Sequence, residues 1–193
     1  MRILDEILTV ILFLIFIFTT ACGSKVGPNS TVPDSLVGTW RGSCQDNAIV
    51  EFTFAGNQKV QHNYVYLDED TKCEQSIQGY TEATYTYTEG LNDEIDYQIV
   101  KITFEPLTQI LAITFNNALT LGFSSWKTHE TKDITGIGDI PTKDTKFYSL
   151  YSVDKDTLYI GDSTTGDASS EANRPSRVDQ SDPYTKVKAP LIK

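Results

Sequence analysis

The chain has 193 residues, with 16 basic and 26 acidic side chains and a formal net charge of −10. Charge of that sign repels phosphate backbones and anionic headgroups, which excludes nucleic acid as a partner class. Hydrophobic residues make up 39% of the sequence, enough at this length to bury one good core.

The chain opens with an almost uninterrupted apolar run, Ile7 to Phe18, closed by Thr19-Thr20-Ala21-Cys22. The run falls short of the roughly 20 residues that a membrane-crossing helix needs. A short apolar stretch ending in small residues has the form of a secretory signal peptide. The cysteine placed directly after those residues resembles the lipobox of bacterial lipoproteins. That resemblance implies cleavage before Cys22, attachment of acyl chains, palmitate among them, to Cys22, and a place in the cell envelope. Gly23 stands where Asp would retain such a protein at the inner membrane, so the outer membrane is the implied destination. An uncleaved anchor or ordinary secretion are the alternatives. Asp5 and Glu6 in the leader, and Thr19 where Leu is usual, depart from the lipoprotein pattern.

On this reading residues 1–21 are a signal peptide and residues 22–35 a lipidated tether, rich in Gly, Pro, Ser and Asn. Residues 36–193 form a single domain with a polar C-terminal segment. With Cys22 assigned to lipid, Cys44 and Cys73 remain as an even pair in an oxidising compartment, and a disulfide is expected.

From Leu36 the pattern is almost all strand. Gly38 to Gln45 comes first. Ile49 to Ala55 follows, with Val50, Phe52 and Phe54 on one face. Gly56-Asn57 is a hairpin signal into Lys59 to Leu67, where Val60, Tyr64 and Tyr66 share a face that His62 also joins. Ser76 to Thr88 contains the period-two run Thr84-Tyr85-Thr86-Tyr87-Thr88. Tyr97 to Glu105 groups Val100, Ile102 and Phe104, and Pro106 ends it. Strands are expected over Ile110 to Phe115 and Leu119 to Lys127, with a turn at Asn116-Asn117 between them. After a looser stretch, Phe147 to Val153 and Thr157 to Ile160 form a hairpin about Asp154-Lys155-Asp156, and Tyr184 to Lys188 closes the chain.

About nine short antiparallel strands joined in sequence make an all-β meander. It closes most economically into an up-and-down barrel, which leaves no unpaired edge; a two-sheet β-sandwich is the alternative. Leu36-Val37-Gly38-Thr39-Trp40 is similar to the Gly-x-Trp opening strand of lipocalins and their bacterial lipocalin-like relatives. The resemblance covers the first few strands and implies a lipocalin-like barrel with Trp40 packed across one end. The later lipocalin motifs, including the Arg that usually caps the Trp, are not recognisable.

No catalytic set is legible. Ile160-Gly161-Asp162-Ser163 resembles the nucleophile block of GDSL-type esterases, but no histidine follows Ser163, and a serine without a base is a poor nucleophile. Asp162, Thr164 and Asp167 match a calcium loop only in part, and Asp68-Glu69-Asp70 is a run of acids of the kind that loops expose. His62 and His129 are the only histidines, too few for a three-histidine zinc site, so neither metal nor cofactor is expected. The tyrosines are the remaining clue. Trp40, His62, Tyr64, Tyr66, Tyr85 and Tyr87 are the candidates for lining a ligand site, either as a barrel wall with polar spots or as an outer aromatic patch. The expected function is that of a lipid-anchored, lipocalin-like binding module for a small apolar or amphipathic ligand. The alternative is a non-enzymatic acidic lipoprotein that engages a cationic envelope protein or peptide.

Overall fold

The protein is described here by a computed structural model, which covers residues 36–67, 70–188 and 191. The leader, Cys22 and the tether lie outside the described residues, as do Asp68 and Glu69.

Among the described residues, nine antiparallel strands form one sheet whose hydrogen bonds close into a ring. They are β1 (Gly38–Arg41), β2 (Ala48–Ala55), β3 (Gln58–Val65), β4 (Gly79–Glu89), β5 (Glu94–Pro106), β6 (Lys132–Asp133), β7 (Lys146–Asp154), β8 (Thr157–Ile160) and β9 (Tyr184–Val187). Chain neighbours pair from β1 through β5, then β5 with β7, β7 with β8 and β8 with β9, and β9 returns to β1. Two-residue β6 sits beside β5, where it pairs with Thr103 and Phe104. The alternation sorts each strand into a core face and an outer face. Trp40, Phe52, Phe54, Ala83, Tyr87, Tyr97, Ile99, Ile102 and Phe104 belong to the single hydrophobic cluster on the core face.

Alternate strand ends gather the connections into two sets. One end carries the tight turns at 56–57, 90–93 and 155–156, and Leu36 enters there. The other end carries the four longer connections. The longest, 107–145, contains the one substantial departure from the expected strands: Gln109–Ala118 is a helix, α1. Thr108 caps it, its side-chain oxygen accepting the Leu111 amide at 3.3 Å. Leu119 ends it in the left-handed region, and residues 119–127 turn through a short 3-10 segment rather than forming a strand. The alternation of Leu111, Ile113 and Phe115 is misleading because Leu111, Ala112 and Phe115 also lie one helical turn apart. That spacing buries them against Phe104 and Trp126, with the Phe104 and Phe115 rings stacked 5.0 Å apart, while Ile113 is half exposed. Asn116, expected in a turn, sits inside the helix and fixes Trp126 through its carbonyl and amide. Gly79 leaves room for this plug: a Cβ there would stand 2.7 Å from Leu111 Cδ2.

Cys44 and Cys73 form a disulfide with Cα atoms 5.7 Å apart, tying the β1–β2 connection to the β3–β4 connection at that same end. The 161–183 connection lies along the half of β7 that β8 does not cover. Arg174 holds it there, pairing with Asp96 at 2.7 Å and donating to the Ser149 carbonyl at 2.7 Å.

Candidate functional site

The core face is mostly apolar, and among the described residues it holds one buried cation. Lys59, second residue of β3, stands between Phe54 of β2 and Tyr85 of β4 in the cross-strand register. Strand alternation turns its side chain inward, where it is only 5% exposed. Its Nζ lies over three rings, 3.9 Å from the centroid of Tyr97, 4.2 Å from Phe52 and 4.8 Å from Tyr85. Tyr184 of β9 adds a fourth wall, its ring 4.7 Å from that of Phe52. Five strands of the ring therefore supply one cation and its aromatic surround.

A bulge makes this register possible. On β4 and β5, Thr84 faces Lys101 but Tyr85 faces Ile99, so Val100 is the extra residue. Ile99 and Ile102 thus both face the core, and Val100, expected beside Ile102, is exposed. Tyr85 then falls beside Tyr97 and Lys59, with the two phenol rings 5.9 Å apart.

Ring faces attract the ammonium, yet they supply no countercharge. Among the described residues Lys59 makes no ion pair, and the Tyr97 hydroxyl is buried with no hydrogen-bond partner. Burial lowers the Lys59 amine to about 7 because a charge in an apolar surround loses its hydration. The same loss of water raises the phenols of Tyr85, Tyr97 and Tyr184, and brings Tyr87 to about 12. The site holds an amine lowered by burial and an unpartnered phenol in an aromatic wall.

The candidate residues divide between the two faces. Trp40, Tyr85 and Tyr87 are on the core face. Trp40 is fully buried, its indole N–H donating to the Leu36 carbonyl at 2.8 Å, and the Tyr87 hydroxyl donates to the Gly56 carbonyl at 2.9 Å. His62 and Tyr64 do share a face with Val60, but it is the outer one, since Lys59, Gln61, Asn63 and Val65 hold the core side of β3. There a polar row crosses the sheet: Arg41 opposite Glu51, Glu51 opposite His62, His62 opposite Glu82. Glu51 is fully buried, paired with Arg41 at 2.8 Å and accepting the Tyr64 hydroxyl at 3.3 Å. His62 Nε2 meets Glu82 at 2.9 Å, and its ring stacks on Tyr64. Tyr66 lies just past β3 and is also buried; desolvation, then the Asp70 charge, raises its phenol.

The other acids considered are engaged locally. Asp162 accepts the Thr164 amide and hydroxyl and pairs with Arg177 at 2.8 Å. Asp167 accepts the Ser169 amide and hydroxyl, and Asp70 accepts the Glu74 and Gln75 amides. These bonds hold all three carboxyls below the usual carboxylate range, although burial opposes them and is the largest single influence on Asp70. Among the described residues, no three His, Cys, Asp or Glu side chains group as a metal site would require.

Lys59 was missed because a lysine opening a strand reads as a solvent-facing charge. Its signal was register: a two-residue turn at Gly56-Asn57 sets Lys59 opposite Phe54, on the face opposite Val60 and Tyr64. Compared with protein-family models and with curated proteins, the chain matches none.

Proposed function

We propose that this chain is a lipid-anchored binding module of the bacterial cell envelope, a lipocalin-like barrel whose core face holds a small apolar or amphipathic molecule. The anchor in this reading is Cys22, and the outer membrane is the destination that the lipobox implies. The observation that carries the binding function is the buried, unpartnered Tyr97 hydroxyl beside Lys59, whose Nζ faces three aromatic rings and makes no ion pair among the described residues. A wall needed only for packing is built more stably from apolar side chains, because buried polar groups without partners are destabilising. A bound molecule supplies the missing partners. Small-molecule sites have this composition, mostly aromatic and apolar with a few convergent polar groups.

The test is native mass spectrometry of protein extracted gently from membranes, followed by titration with a fluorescent fatty acid. A bound small molecule, or saturable uptake of the probe after its removal, is the expected result. Protein that carries nothing and takes up no probe overturns the reading.

A further inference from the structure

We propose that the outer face of α1 is the contact at which two copies of this chain pair, centred on Ile110, Ile113 and Leu119. Ile110 and Ile113 lie on the side of α1 turned away from Leu111, Ala112 and Phe115, and are 73% and 50% exposed. Leu119, at the end of the helix, is 59% exposed. Its φ of 52° lies in the left-handed region, where glycine or asparagine is usual and a leucine is strained. A leucine held in that conformation with most of its surface in water gains little from its own fold.

Charge points to the occupant. None of the 16 basic and 26 acidic side chains falls within residues 106–126, the longest uncharged run in the sequence. Two copies, each with a net charge of −10, repel wherever charged surfaces meet. A two-fold contact also sets a patch against itself, so any charge within it would meet its like. An uncharged apolar face avoids both penalties, whereas a partner held by opposite charge would find nothing on this helix to pair with. On the anchored reading the bilayer lies at the other end of the ring. Leu36 enters among the tight turns and α1 sits among the longer connections, so a tether leading to Leu36 turns this face away from the membrane. Stable interfaces bury about 800 Å² on each partner, more than three side chains supply, so the pairing is weak and depends on concentration.

The experiment is sedimentation velocity of the full chain in lipid nanodiscs, one copy per disc, over a concentration series. Paired discs that form as concentration rises, and stop at two, are the expected result. Ile113→Glu and Ile113→Lys should each weaken pairing at least about tenfold, and an equal mixture of the two should restore it, because opposite charges then meet across the contact. Leu91→Glu, on an exposed turn at the opposite end, should pair as the native chain does. Ile110→Ser should weaken pairing severalfold and provides the test should the Ile113 variants fail to fold. Native discs that stay single at every concentration overturn the proposal. Quenching of Trp126, which packs against Phe115 of α1, by brominated lipid would then assign the face to the bilayer. Growth beyond two discs overturns the two-fold contact. So does pairing at native strength by folded Ile113→Glu or Ile110→Ser, or a mixture of the charged variants that pairs no better than either alone. A chain recovered outside the discs overturns the anchor alone, and its own sedimentation then reads the pairing.

Discussion

Lys59 dominates the chemistry of the fold at the scale of single residues. Its amine is held near 7 by burial and regains the ordinary value of 10.5 when the chain unfolds. Between those values the unfolded chain binds a proton that the folded chain does not, so stability rises with pH across the window. The phenols act in the opposite sense. Tyr80 and Tyr87 titrate near 12 in the fold, so above the ordinary phenol value of about 10 the unfolded chain has already lost protons that the fold retains. Protein stripped of bound small molecules should therefore be most stable at about pH 9 to 10. The gain over neutral pH should be on the order of 4 kcal/mol, read from urea midpoints. Lys59→Met should flatten the rise and be the more stable protein at pH 6. An identical rise in that variant would assign it to another group.

At the scale of elements, the ring is thinnest where it closes. β9 pairs with β1 at three positions and with β8 at two, so β1 has strong support only from β2. The Cys44–Cys73 disulfide pins the connection that leaves β1. Reduction should loosen β1 before the rest of the sheet. Hydrogen exchange followed by mass spectrometry should show early exchange around Thr39 to Ser43, with β4 and β5 still protected. Uniform loss across the sheet, or unchanged protection of β1, would contradict this. The connections also explain a segment opaque in the sequence. Within Thr164 to Asp182, the Ala168 carbonyl takes the Tyr148 amide at 3.0 Å on the part of β7 that β8 leaves open. No hydrophobic alternation announces this contact, because it is made by backbone and by Arg174.

For the whole molecule, Trp40 is the residue on which closure converges. It takes a carbonyl from Leu36, and Lys186 of β9 lies over its ring at 4.9 Å, so the indole joins the first and last strands. Trp40→Ala should destabilise by about 3 to 5 kcal/mol, measured as a lowered urea midpoint with a single cooperative transition. A loss under about 1 kcal/mol would mean that the ring closes without the indole.

The alternation of β2, the Gly56-Asn57 turn, the hairpin about Lys155 and the paired cysteines were legible in the sequence, because each depends on local chemistry or on compartment. Local pattern also located β1 and β9. It erred at α1, where the apolar spacing of residues 110–115 fits period two and period 3.6 alike and burial against Phe104 and Trp126 decided for the helix. The inward face of β3 was also available, since a two-residue turn at 56–57 sets Lys59 opposite Phe54 and cross-strand partners share a face, but a lysine there reads as solvent-facing. The β4–β5 bulge and the closure of β9 on β1 brought Tyr85, Tyr97 and Tyr184 to the same place, and with them the site. Phe52, Lys59, Tyr85, Tyr97 and Tyr184 come from five strands across 133 residues. Only the register between strands, set by ring closure, brings a single amine under the rings.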